Sequence, residues 1–152
     1  MRIRPYCIDV LEKLSTLYEI LVFTAGEQEY ADHILDYIDP DHKIFTKRLY
    51  RQDCIKVENF FVKDLDIILD RSKENMIIVD NSIVSFAFDL NNGVPINSFL
   101  GTEKEDKELL FLYSFLKELA VSQDVRKNIQ DAFRLSYLQS TIINKWNLAF
   151  KI

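Results

Sequence analysis

The chain contains 152 residues, of which 48% are hydrophobic and 28% charged, with three glycines and three prolines. This length suits one globular domain, and the composition excludes a disordered chain, a collagen-like repeat and a flexible linker protein. No apolar run approaches the ~20 residues that span a bilayer, and no apolar stretch of a secretory signal follows the first residues, so we expect neither a membrane segment nor a targeting signal. The 19 basic and 24 acidic residues give a net charge of −5. This charge argues against direct nucleic-acid binding, which requires a concentrated basic surface.

The two cysteines, Cys7 and Cys54, are too few for a disulfide framework and do not have the spacing of a zinc site. Neither stands beside a histidine in the sequence, so nothing suggests a thiolate nucleophile. We interpret them as ordinary thiols in a reducing compartment.

The first third of the chain alternates between helical and extended patterns. Apolar residues recur at helical spacing over residues 10–18, which predicts a helix with Asp9 as its N-cap. The unbroken apolar run Ile20–Phe23 predicts a strand buried on both faces, as in a parallel sheet. A second helix is predicted from the apolar spacing over residues 30–38, and Asp39-Pro40 ends it.

Residues 41–63 carry no pattern that assigns them to an element. Beyond them we predict a short helix over 64–71, a second buried strand over 76–79, a short edge strand over 94–96, and helices over about 103–120 and 124–138. Alternating strands and helices predict an α/β domain with a mostly parallel central sheet flanked by helices. We place this domain at residues 1–140 and leave the tail, 141–152 with Trp146, unassigned.

Polar side chains follow both buried-strand runs, at the sheet edge where α/β folds bind ligands. The hydroxyl of Thr24, near the start of a helix, suits a phosphate oxygen. Asp80 and Asn81 supply the hard oxygen ligands that Mg²⁺ prefers. Lys63 and Arg51 can neutralise phosphate charge. Taken singly, each has a plainer interpretation: a Thr or Asp after a strand commonly caps a helix, and a basic stretch is commonly a solvated loop.

Six short segments, in order and at suitable intervals, carry a family resemblance. They are Arg4-Pro5, Phe23-Thr24-Ala25, Arg48-Leu49-Tyr50-Arg51, Val62-Lys63-Asp64-Leu65, Val79-Asp80-Asn81-Ser82 and Asn92-Gly93-Val94-Pro95-Ile96. Together they resemble the phosphatases that act on the C-terminal repeat domain of RNA polymerase II, especially the small-phosphatase branch. That group belongs to the haloacid dehalogenase superfamily, and the similarity covers residues 2–137.

The resemblance implies a haloacid dehalogenase-type, Rossmann-like fold and a Mg²⁺-dependent protein-serine/threonine phosphatase. It implies a phosphoserine protein or peptide as substrate, such as the polymerase repeats, and a nuclear or nucleocytoplasmic location. By resemblance, Thr24 binds the phosphoryl oxygens, and Lys63 stabilises the attacking carboxylate and the transferring phosphate. Asp80 and Asn81 would complete the magnesium site, with Asn81 the better candidate for direct coordination, and Arg51 would lie near the phosphoserine.

One family motif has no counterpart in the sequence. In the family, Asp-x-Asp-x-Thr precedes the Arg-Pro pair; its first Asp is the nucleophile that forms an aspartyl-phosphate, and its second is the general acid/base. Asp64-Leu65-Asp66 matches the Asp-x-Asp part of this motif, but Lys63 directly precedes it and Ile68 occupies the position of the Thr. We therefore expect Asp64 to cap a helix, Asp66 to be exposed, and the chain alone to be inactive.

Three explanations for the gap stay open. The chain is a truncated form of an active phosphatase, or a pseudophosphatase that binds phosphopeptides as a scaffold, or a protein whose missing strand comes from another polypeptide. The mitochondrial import-receptor branch of the same family is a further alternative. The missing strand is central in this fold, so its loss leaves a slot between the strands predicted at Ile20–Phe23 and 76–79. Because unpaired buried backbone is costly, that slot must close, recruit a segment or exchange a strand, as in a strand-exchanged dimer.

Overall fold

The computed structural model describes residues 2–103, 105–142 and 144. The chain forms two compact units, each assembled from two stretches of sequence. Unit 1 comprises Met1–Gln52 and Asn97–Val121, and unit 2 comprises Asp53–Ile96 and Ser122–Ile152.

In its described part, unit 1 consists of helices around one parallel strand pair. Its elements are α1 (Cys7–Ser15), β1 (Ile20–Phe23), α2 (Gln28–Ile38), β2 (Phe45–Leu49) and α3 (Glu108–Leu119). β1 and β2 run parallel, with Phe23 opposite Leu49, and α2 is the crossover that parallel strands require. Ala31 and Leu35 of α2 are buried against Tyr50, which fixes the helix over the strand pair. α1 packs on α3, and the Tyr18 hydroxyl donates to the Leu116 carbonyl at 2.5 Å.

The turn from α2 to β2 is built around one buried carboxylate. Asp39 ends the helix and is 2% exposed. Its two oxygens accept backbone N–H bonds from Lys43 at 2.8 Å, Ile44 at 3.0 Å and Phe45 at 3.0 Å. Burial raises the pKa of the Asp39 carboxyl, but these three hydrogen bonds outweigh that effect and hold the pKa below its usual value.

In its described part, unit 2 combines a hairpin, a second parallel strand pair and one α-helix. Its elements are β3 (Ile55–Val57), β4 (Phe60–Val62), β5 (Ile78–Asp80), β6 (Gly93–Pro95) and α4 (Val125–Phe133). β3 and β4 are antiparallel, whereas β5 and β6 are parallel, with Asp80 opposite Pro95. The core of the unit contains Leu65, Met76, Ile78, Phe86, Leu90 and Leu135.

The first residue of β6, Gly93, lies where no side chain fits. The ring of Phe86, which is fully buried, lies against its backbone. A Cβ atom at position 93 would lie 2.0 Å from a ring carbon of Phe86, well inside contact distance. Gly93 thus meets a packing requirement of the core.

In unit 1 the sequence predicts where the helices and strands lie more accurately than it predicts the helix cap or the burial of β1. β1 has the predicted bounds, and α2 ends at Asp39 as expected. The predicted N-cap was wrong: α1 begins at Cys7, preceded by Tyr6 with a left-handed φ of 64°, so Asp9 lies in the first turn. β1 is half-buried at all four residues rather than buried on both faces, and among the described residues its sheet has two strands.

In unit 2 the differences are larger. The segment predicted as a helix over 64–71 forms a single 3₁₀ turn, Leu65–Ile67, which Asp64 does cap by accepting a hydrogen bond from the Asp66 N–H at 2.9 Å. The hairpin falls in the stretch that the sequence left unassigned. Of the predicted tail, 141–152, most residues, including Trp146, lie outside those the structure describes. Ile142, which is described, packs against the core of unit 2.

None of the helices in the described residues has the length and apolar character needed to cross a membrane.

Candidate functional site

The candidate residue Thr24 directly follows β1 and opens a tight turn. Its backbone N–H donates to the Leu49 carbonyl at 2.9 Å, which continues the β1–β2 pairing. Its Oγ1 accepts a hydrogen bond from the Gly26 N–H at 3.0 Å, and a Cβ at Gly26 would lie 3.2 Å from that oxygen. Because a hydroxyl can accept one hydrogen bond and donate another, this bond orients Oγ1 and is compatible with donation to a phosphoryl oxygen.

Arg51 lies two residues after β2 and contacts the same turn, as expected for residues that follow neighbouring parallel strands. Its Nε donates to the Ala25 carbonyl at 2.7 Å, and its backbone N–H donates to the Gly26 carbonyl at 3.1 Å. Its Nη1 lies 3.1 Å from an oxygen of the Glu27 carboxylate. The Arg51 side chain is 44% exposed. Unit 1 thus carries a hydroxyl and a guanidinium, two groups that bind phosphate oxygens.

The neighbouring Arg48, although in the same motif, has a structural role. Its Nη1 lies 2.8 Å from carboxylate oxygens of both Asp32 and Asp36, which ties β2 to α2. The Tyr50 hydroxyl donates to Asp32 at 2.5 Å. Hydrogen bonds from Tyr50 and then Arg48 lower the pKa of Asp32, and burial followed by the Asp32 carboxylate raises the pKa of Tyr50.

Unit 2 carries a buried ion pair at the ends of two strands. Lys63 follows β4, and Asp80 is the last residue of β5. The Lys63 Nζ donates to Asp80 Oδ2, and the two side chains are only 11% and 8% exposed. Asp80 Oδ1 accepts the Ser82 N–H at 2.8 Å, and the Lys63 N–H donates to the Ser85 carbonyl at 2.7 Å. Lys63 is therefore fixed in position, with its charge balanced by one carboxylate.

Asp80 and Asn81, the residues predicted to complete a magnesium site, supply two of the oxygen donors that such a site requires. Asn81 follows Asp80 directly and is exposed. In the part of the chain that the structure describes, no three His, Cys, Asp or Glu side chains converge to hold a metal ion. Mg²⁺ in phosphate chemistry is held by one or two carboxylates together with substrate oxygens and waters. The two residues fit one side of such a site, which needs further oxygen donors to be complete.

The structure thus groups the five predicted residues by unit. In unit 1, Arg51 contacts the turn that Thr24 opens. Lys63, Asp80 and Asn81 are neighbours in unit 2. The contact between Glu27 and Arg51 could not be predicted from the sequence. An acidic residue at the start of a helix is common because it complements the helix dipole, and it does not reveal a partner 24 residues away.

Residues 1–126 match the NLI interacting factor-like phosphatase family. The chain belongs to this family. It is 43% identical over 137 residues to CTD small phosphatase-like protein 2 of Dictyostelium discoideum, covering 90% of this chain and 24% of the relative. It is 36% identical over 134 residues to nuclear envelope morphology protein 1 of Saccharomyces cerevisiae, covering 81% of this chain and 30% of the relative.

Solved structures confirm the fold predicted for this NLI interacting factor-like phosphatase family member. The RNA polymerase II CTD phosphatase Fcp1 of fission yeast, bound to beryllium fluoride, has a TM-score of 0.58 and 17% identity, covering 99% of this chain and 52% of that one. The chain therefore has an α/β fold like that of the Fcp1 phosphatases, the haloacid dehalogenase type of fold that the sequence predicts. It spans about a quarter to a third of the length of the two curated relatives described above. The roles of the five site residues stay predictions.

Proposed function

We propose that this chain is the larger part of a protein-serine/threonine phosphatase domain whose substrates are phosphoserine proteins, such as the C-terminal repeats of RNA polymerase II. The observation that carries the proposal is the buried Lys63–Asp80 pair, a fixed cation at the ends of two strands in a chain of this family. The sequence contains no Asp-x-Asp-x-Thr. We therefore propose that the chain is inactive until a segment bearing that motif joins it.

The proposed roles follow from the chemistry of phosphoryl transfer, which depends largely on positioning and charge neutralisation. Thr24 donates a hydrogen bond to a phosphoryl oxygen, and Arg51 binds the phosphoserine through its fork of N–H groups. Lys63 balances the charge of the attacking carboxylate and the phosphate, and Asp80 holds Lys63 in place. Mg²⁺, held in part by Asp80 and Asn81, would supply further neutralisation when bound.

The test restores the missing segment. An apolar strand ending in Asp-x-Asp-x-Thr, joined ahead of Arg4-Pro5 as in the family, should give a protein that hydrolyses p-nitrophenyl phosphate and a phosphoserine peptide in Mg²⁺. Changing the first Asp of the added motif to Asn should abolish turnover, and so should Lys63→Met. A folded extended protein that releases no phosphate would refute the proposed activity.

The alternative is a phosphopeptide-binding scaffold. The contact of Arg51 with the turn that Thr24 opens supports it, because binding needs no nucleophile. A phosphoserine peptide should then bind the 152-residue chain with an affinity that falls in Arg51→Ala. Failure of the extended protein to hydrolyse, together with this binding, would favour the scaffold. The import-receptor branch is less favoured because the phosphatase-motif residues at 24, 63, 80 and 81 are all present.

We propose a nuclear or nuclear-envelope setting, since the relatives include nuclear envelope morphology proteins and CTD phosphatases. A strand-exchanged dimer of this chain would fill a sheet edge but would not restore catalysis, because neither copy carries Asp-x-Asp-x-Thr. Size-exclusion chromatography tests the dimer: a monomeric elution volume would count against it.

A further inference from the structure

The turn between β1 and α2 contains a glycine, Gly26, that its backbone conformation does not require. The φ of Gly26 lies outside the left-handed region that favours glycine, a region that Gly101 does adopt with a φ of 78°. Any residue can therefore take up the backbone conformation at position 26. The role of Gly26 lies in the groups that it contacts.

The peptide group that joins Ala25 to Gly26 contacts both residues proposed to bind phosphate. Its N–H end donates to Thr24 Oγ1 at 3.0 Å, and its carbonyl end accepts a hydrogen bond from Arg51 Nε at 2.7 Å. The carbonyl of Gly26 also accepts the Arg51 backbone N–H, at 3.1 Å. Because a peptide group is planar and rigid, it holds the hydroxyl and the guanidinium in a fixed relation to each other.

A side chain at position 26 would lie directly against the Thr24 hydroxyl. A Cβ there would be 3.2 Å from Thr24 Oγ1, which is closer than an ordinary van der Waals contact. Apart from its chain neighbours, no other atom of the described residues would lie within 4 Å of that Cβ. Threonine is β-branched and therefore stiff at χ1, so its hydroxyl does not rotate away at low cost. A methyl group at position 26 would thus displace the hydroxyl and fill the space beside it.

We propose that Gly26 is a positioning residue, whose N–H orients the Thr24 hydroxyl and whose lack of a side chain leaves room beside that hydroxyl for a phosphoserine oxygen. This inference rests on the proposed function, because it assumes that Thr24 donates to a phosphoryl oxygen. It implies that one added methyl group weakens phosphoserine binding without weakening the fold.

Four forms of the 152-residue chain test the proposal: the unaltered chain, Gly26→Ala, Thr24→Ala and the double variant. Isothermal titration calorimetry measures the dissociation constant of a phosphoserine peptide for each form. Urea denaturation measures the stability of each. The double variant is the matched control, because it carries the same added methyl group in a chain that has no hydroxyl at position 24.

Gly26→Ala should weaken binding of the peptide by about fivefold to tenfold, as expected when a hydrogen bond to a charged group is impaired. Its urea midpoint should stay the same or rise, because alanine restricts the unfolded chain more than glycine does. In the Thr24→Ala background, the same change should alter the dissociation constant by less than about twofold.

Equal weakening by Gly26→Ala in both backgrounds would overturn the proposal, since the methyl group would then act elsewhere than on the hydroxyl. Unchanged affinity in Gly26→Ala would also overturn it, as would weaker binding accompanied by a lower urea midpoint. A phosphoserine peptide that fails to bind the unaltered chain would overturn it as well. Hydrolysis by the extended protein, measured separately, tests the phosphatase activity itself.

Discussion

At the scale of single residues, the Lys63–Asp80 pair makes a sharp prediction about stability. Both side chains are buried, and removing one partner of a buried ion pair leaves an uncompensated charge. Lys63→Met should lower the free energy of unfolding by about 3 kcal/mol or more, measured by urea denaturation. The double variant Lys63→Met/Asp80→Asn should recover part of this loss, because neither charge is then left alone.

The matched control for this prediction is another lysine–aspartate pair. Lys43 and Asp41 lie 2.9 Å apart, with side chains 78% and 69% exposed. Exposed pairs contribute little, so Lys43→Met should leave the urea midpoint where it is. An equal loss of unfolding free energy in both lysine variants would show that burial does not determine how much the Lys63–Asp80 pair contributes to stability.

Asp39 links a single residue to the pH dependence of stability. Because its pKa is lower in the folded chain than in the unfolded one, it stabilises the fold above its unfolded pKa of about 3.9. That contribution is lost as the pH falls through the folded pKa. Between pH 5 and pH 3, the free energy of unfolding should therefore fall less steeply in Asp39→Ala than in the unaltered chain, by urea denaturation at each pH. If the two plots of unfolding free energy against pH had the same slope and differed only by a constant, the predicted contribution of Asp39 would be wrong.

At the scale of elements, β6 depends on the close approach of Phe86 to Gly93. Gly93→Ala places a methyl group inside the Phe86 ring and should cost about 1–3 kcal/mol of stability, as overpacking of cores does. The same change in a Phe86→Leu background should cost less, since the ring is gone. Denaturation of the four proteins measures this coupling, and additive effects would show that the two residues do not compete for space.

The elements also show what a sequence pattern can and cannot reveal. The four-residue apolar run of β1 and the helical spacing of α2 are local signals. β1 has the predicted limits, and α2 ends where predicted but begins two residues earlier, at Gln28. The hairpin was missed because each of its strands has only three residues. The strands are joined through Glu58, whose φ of 53° is a conformation that a glutamate does not indicate. The helix predicted over 64–71 was wrong because the segment closes only one 3₁₀ turn around Asp64.

At the scale of the whole molecule, the sequence identified the family because six short segments occur in the same order as in the family. The comparisons confirmed that identification. The partners of the site residues could not be predicted in the same way. The Arg51–Glu27 and Lys63–Asp80 contacts join residues 24 and 17 positions apart, and only the folded chain brings them together. Among the described residues, the two parallel pairs, β1–β2 and β5–β6, are separate two-stranded sheets.

We propose that this chain supplies the binding and charge-neutralising residues of a phosphatase, while the nucleophile comes from a segment that bears Asp-x-Asp-x-Thr. The most direct measurement locates the phosphoryl group during turnover. The extended protein is mixed with a phosphoserine peptide and quenched in acid. Borohydride then reduces any aspartyl-phosphate to homoserine with loss of the phosphate, and the modified residue is mapped by mass spectrometry. Homoserine is expected at the first Asp of the added motif. Homoserine at Asp64, Asp66 or Asp80 would show instead that the nucleophile lies within this chain.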